Sequence, residues 1–233
     1  RTQSRFIHFE FTYVAIFWKE IIMRRLPVYI LIQTSGAMRG EPIESIKVGL
    51  EAMVASLRQD PFALESVYMS IATFNRNVEL LVPLTELESL QIPTINQPES
   101  GPTHLGEALQ FICKKVDSEV ALSTPDKKGD WMPLLFIMCD GRASDPQLFN
   151  TIVPEIQKRH FGSIIACIVG SKTDVDNVKK ITDKIVSLEI TDSGTFKQFF
   201  KWVSASVSVG NRSIGATDQM LLPPPPPEVH SVI

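Results

Sequence analysis

Three short segments of this chain place small polar groups where chemistry could be done. Gln33-Thr34-Ser35-Gly36-Ala37 follows an apolar run over Leu26–Ile32, Thr103 precedes the cleanest helical stripe in the sequence, and Asp140-Gly141 follows an apolar run over Pro133–Cys139. Two hydroxyls and one carboxylate are hard oxygen donors. They suit Mg2+ or Mn2+ better than a soft metal, and a cation of that kind takes about six oxygens and keeps some of its water. The same residues also have plain structural uses. Ser35 and Thr103 fit turn and helix-cap positions, and Asp140 can brace the 33–37 loop through backbone hydrogen bonds.

Either use requires the ends of separate elements to meet, and the periodicity says which elements these are. Leu26–Ile32 is of strand type. Ile43, Ile46, Leu50, Met53, Val54 and Leu57 follow Pro42 at helical spacing. Val67–Phe74 and Val78–Val82, separated by Asn75-Arg76-Asn77, form a hairpin pattern. Leu105, Ala108, Leu109, Ile112, Cys113, Val116 and Val120 mark a helix for which Thr103 is placed as a cap. Pro133–Cys139 is apolar throughout, as a central strand buried on both faces must be. Asp145-Pro146 opens a further helix, which Pro154 should kink or shorten. Ser163–Val169 and Ile185–Leu188 read as strands, Asp174–Lys180 as a short helix, and Phe196, Phe199, Phe200, Val203 and Val207 as a last helix.

This alternation predicts a three-layer α/β fold, with a mostly parallel central sheet, one antiparallel hairpin strand and helices on both faces. In such sheets ligands bind beyond the carboxyl ends of the strands, where the strand order reverses. The three polar segments are the ones delivered there.

Composition narrows the function further. The chain has 233 residues, 44% of them hydrophobic, and a formal charge of −3. That balance excludes wholesale disorder and argues against a nucleic-acid partner. The three cysteines have no CxxC spacing and read as buried free thiols of a reducing compartment, while the four scattered histidines give no zinc pattern. No phosphate loop of the form GxxxxGK(S/T), no GxGxxG and no GxSxG is present.

The two ends differ from the middle. Residues 1–22 carry the apolar and aromatic run Phe11–Trp18, which is too short for a membrane helix, and they precede Met23. They are expected to be an upstream or non-native extension, the rival reading being an amphipathic segment that packs on the domain, and the domain is expected over residues 23–209. Residues 210–233 read as a polar linker and a tail containing the unbroken proline run Pro223–Pro227, extended by necessity.

The order of these polar residues resembles the metal-ion-dependent adhesion site of von Willebrand factor A (VWA) domains, Asp-x-Ser-x-Ser, then Thr, then Asp-Gly. Leu26–Ser45, Gly101–Gly106, Phe196–Ser208 and the proline tail are similar to the bacterial tellurium-resistance TerY group. Gln33 stands where that pattern has Asp, and Ala37 where it has the second Ser; Ser35, Thr103 and Asp140 keep the matching types. The resemblance implies a degenerate site in which Ser35 and Thr103 touch a metal and Asp140 acts through water. Ala37 then removes one direct oxygen and Gln33 one negative charge, so Mg2+ or Mn2+ should bind weakly.

By the same resemblance the function is that of a cytoplasmic protein-binding adaptor in a tellurite or stress-resistance system. Its partners would be kinase- or phosphatase-like proteins. Gly36, Met38, His104 and Gly141 flank the motif and are candidate partner contacts. The expected adaptor is not an enzyme. The alternative, a Mg2+-dependent phosphoryl hydrolase or phospho-acceptor built on Asp140, lacks the clustered carboxylates such chemistry uses. A metal-free scaffold binding at the same face is the nearer competitor.

Overall fold

The structure, a computed structural model, describes residues 24–96, 100–126, 128–169, 174–188, 201–203, 205 and 230–231. The expected N-terminal extension, most of the last helix and the proline run lie outside the described residues.

Strand β1 (Leu26–Gln33) is buried along its whole length. Alternate side chains serve opposite layers. Leu26, Val28, Ile30 and Ile32 pack with α1 (Glu41–Leu57), whereas Tyr29 and Leu31 pack with α3 (Leu105–Glu119) and α4 (Pro146–Lys158). A short helix α2 (Pro61–Ser66) leads into β2 (Val67–Phe74), which turns back as β3 (Val78–Glu86). The sheet continues through β4 (Leu134–Cys139), β5 (Ser163–Val169), helix α5 (Val175–Lys179), β6 (Ile185–Leu188) and the two-residue β7 (His230–Ser231).

The strand order is β3-β2-β1-β4-β5-β6-β7. Strands β2, β1, β4, β5 and β6 run parallel, with β3 antiparallel to β2 and β7 antiparallel to β6. The fold is therefore the expected α/β sandwich with one addition: a second antiparallel edge strand from the tail segment. Two residues are too few to show a period-2 pattern, so nothing in the local sequence signals β7.

The structure also adds a helix that the sequence pattern does not signal, and it does not shorten α4 at Pro154. Helix α2 has no long apolar stripe and owes its start to Asp60, whose side chain accepts from Phe62 N at 3.0 Å, and to Pro61 in the first turn. Pro154 does not end α4, which runs on to Lys158. Pro154 and Asn150, whose carbonyl it deprives of a donor, are both exposed, so water can satisfy that carbonyl.

The chain builds β1, then β2 and β3 on one side, and then crosses to β4 on the other. The order reverses between β1 and β4. That is the switch point at which such sheets leave a crevice.

Candidate functional site

Gln33 closes β1, Asp140 follows β4, and Thr103 lies two residues before α3. The Gln33 side chain joins all three segments. Its amide nitrogen donates to Ser35 Oγ at 2.5 Å and to Thr103 Oγ1 at 3.4 Å, while its Oε1 accepts from the backbone N–H of Asp140 at 2.9 Å. A backbone N–H can only donate, so it fixes which end of the amide is oxygen and leaves the NH2 group facing the two hydroxyls. Gln33 is fully buried, and Ser35, Thr103 and Asp140 are 4%, 5% and 4% exposed.

Neighbouring loops hold this cluster. Thr103 N donates to Ser144 Oγ at 3.0 Å, and Ser144 N returns a bond to Thr103 O at 2.8 Å. His104 N donates to Asn75 O at 2.7 Å, tying the same loop to the β2–β3 hairpin. The Asp140 carboxylate turns towards its own loop. Oδ1 accepts from Arg142 N at 3.0 Å, and the Arg142 guanidinium Nε lies 4.0 Å from Oδ2. On the far side, Asp140 O accepts from Asp174 N at 2.8 Å.

Thr103 does not cap α3. The residue at the cap position is His104, which makes no side-chain cap bond. Asp145 does the capping from across the helix pair, with Oδ1 accepting from Gly106 N at 3.1 Å and Oδ2 from Glu107 N at 2.9 Å. Asp145 sits at the start of its own helix, α4, without capping it. Its place before Pro146 pointed to a local role, and only the packing of α3 on α4 shows the longer one. Ser144, Asp145, Arg142 and Asn75 are the site's supports that sequence reasoning missed.

The candidate partner contacts divide. Gly36 and Ala37 are exposed on the short 3-10 turn Gly36–Met38, and His104 is half-buried with Nδ1 3.4 Å from Glu107 Oε2. Met38 is a core residue with no exposed surface, packed in the α1 layer, and presents nothing to a partner. Gly141 is also buried. Its φ of +80° and the 2.2 Å that would separate a Cβ there from Asp174 O require glycine, so its role is to let the loop pass α5.

The thiols play no part in this face. Cys113, Cys139 and Cys167 are free and buried, and burial raises all three above the ordinary thiol range, Cys139 to about 12. Cys139, next to Asp140, is thus a packing residue and not a low-pKa nucleophile.

The sequence matches the von Willebrand factor type A domain over residues 28–202. The chain belongs to that family. VWA domains are in general protein-binding modules of adhesion type. No curated protein sequence matches the chain. Among solved structures, a VWA protein from Catenulispora acidiphila is 13% identical with a TM-score of 0.57, covering 80% of this chain and 43% of its own. Manganese-loaded TRAP protein from Plasmodium vivax is 15% identical with a TM-score of 0.52, over 76% of this chain and 73% of its own. Proximal thread matrix protein 1 of the mussel byssus, with its adhesion-site motif occupied by zinc, is 13% identical with a TM-score of 0.54, over 79% of this chain and 47% of its own. This chain thus spans less than half the length of the first and third of these, and at such identities the likeness concerns the fold.

The residues of this VWA domain do not fit a divalent cation. The cluster offers one carboxylate, already engaged by its own loop, and two hydroxyls whose lone pairs face amide protons. Among the described residues no group of three or more His, Cys, Asp or Glu side chains is placed to hold a metal. Also among the described residues, no helix is long and apolar enough to cross a membrane.

Proposed function

We propose that this VWA domain is a protein-binding adaptor that meets its partner at the carboxyl end of the sheet, around Gly36, Ala37 and His104, with weak or lost dependence on divalent metal. One observation carries the reading. Three loops from separate elements are drawn together at the switch point and bonded to one another, and an exposed turn lies beside them. A rigid polar platform of this kind suits recognition, because its loops need no ordering when the partner arrives.

The resemblance of Leu26–Ser45 and Gly101–Gly106 to the tellurium-resistance TerY group supports a cytoplasmic role in a bacterial tellurite or stress-resistance system, with kinase- or phosphatase-like partners. Phosphoryl transfer by the domain itself has less support. Its one carboxylate at the motif, Asp140, is buried and bonded to Arg142 N, whereas a metal-assisted hydrolase uses several clustered acidic groups.

The test is capture of kinase- and phosphatase-like proteins from a tellurite-resistant bacterial host on the immobilised chain, compared with Ala37→Arg. Ala37 is exposed, so the variant should melt as the parent does while retaining at least about tenfold less partner. Equal capture by both would move the interface away from this face.

A further inference from the structure

We propose that the Gln33 side-chain amide is a built-in stand-in for a cation, holding the loops of this face in one arrangement whether or not divalent metal is present. The inference deepens the adaptor reading, and rests on it only for the partner arm of the test below.

A dication between these loops would draw on the lone pairs of Ser35 Oγ and Thr103 Oγ1. The amide NH2 does the same with its two protons, reaching both oxygens at 2.5 and 3.4 Å. Its carbonyl end accepts the Asp140 N–H at 2.9 Å, so a single neutral side chain ties the β1, α3 and β4 loops together. Neither end can be exchanged. Reversing the amide would aim a donor at the Asp140 N–H, and swinging it out would strand that N–H in a site where Gln33 is fully buried. A dication placed beside the amide would face two N–H protons of like polarity, and Asp140 is the only anion of the motif. Where the pattern this segment resembles has Asp, Gln33 thus ties the three loops by an amide with no need of an ion. Ala37, which brings no oxygen, is consistent with a position that no longer completes a coordination shell.

The experiment uses the full chain with Mn2+ as probe, by calorimetric titration and by thermal melts in EDTA and in Mn2+. The parent should bind Mn2+ weakly at most, with equal melting temperatures in both. Gln33→Asp with Ala37→Ser should bind Mn2+ at least about tenfold more tightly, a gain of about 1.4 kcal/mol, and melt higher in Mn2+ than in EDTA. Gln33→Glu, of nearly the parent's shape, serves as a second variant should the double one fold poorly, and should also gain Mn2+ affinity. A parent that binds Mn2+ as tightly as the variants overturns the proposal, because the amide then yields to metal. Folded variants that gain no affinity overturn it too, since the position would not be one a cation can take. Partner capture by the parent should be the same in EDTA and in Mn2+. Loss of capture in EDTA counts against the stand-in, and absence of capture in both, beside the expected titrations, counts against the adaptor reading alone.

Discussion

At the scale of single residues, Gln33 is a buried polar group held at both ends. It is fully buried, yet both ends of its amide are satisfied by partners up to 107 residues away in sequence. Gln33→Leu keeps much of the volume but leaves the buried Asp140 N–H without an acceptor, a loss of about 1–3 kcal/mol. A lowered urea midpoint with an unchanged slope would show this. The same change should leave the far-UV circular dichroism spectrum of the folded chain unchanged, because the loss is confined to the loops. Sequence reading identified Gln33 as a departure from a metal pattern. It could not show what the side chain does instead, because the Asp140 N–H that orients the amide is distant in the chain. Met38 misled for a related reason: adjacency to Gly36 and Ala37 says nothing about which side of a 3-10 turn faces the core.

At the scale of elements, α3 and α4 behave as one unit with a shared start. Asp145 caps the helix it does not belong to, while Ser144 exchanges two bonds with Thr103. Close approach makes this possible, since a Cβ on Gly106 would lie 2.5 Å from Phe149 N. Asp145→Ala should cost about 1 kcal/mol through the loss of carboxylate acceptors at a helix N-terminus. It should also raise amide hydrogen exchange at Gly106 and Glu107 more than at the start of α4. Gly141→Ala should cost more, roughly 2 kcal/mol or above, because a left-handed backbone and a close approach to α5 are both violated. Thermal melts of the two variants give the order. Strands β1 and β4 and the long helices were legible because each carries an apolar run or a helical stripe. The inter-helix cap was not, because Asp-Pro is equally good grammar for a cap of its own helix.

At the scale of the whole molecule, the doubly covered sheet isolates its thiols. Cys139 and Cys167 lie on adjacent strands, but they serve opposite layers of the core. Their folded pKa values are raised above those of the unfolded chain by burial. The stability linked to these protons is therefore complete below the ordinary thiol value of about 8.5, and is lost as pH rises from there towards the folded value. The urea midpoint should fall between about pH 8.5 and 10, and Cys139→Ala should reduce that slope. A thiol reagent at neutral pH should label the chain quickly only after unfolding. The parallel core of this sheet could be read from Pro133–Cys139 and Ser163–Val169, whose continuous apolar character leaves no solvent face. The edge pairing of His230–Ser231 with β6 could not, because it depends on where the chain returns.

The bond between Gln33 and Asp140 also has a consequence in time. Its donor is made 107 residues after its acceptor, and a chain leaving the ribosome at about 5–20 residues per second needs roughly 5–20 s to span that gap. Until β4 has emerged and docked beside β1, the face that would meet a partner does not exist, although β1, β2 and β3 can already pair. The three-loop arrangement is thus acquired late and all at once, so a chain truncated before β4 lacks the Gln33–Asp140 tie altogether.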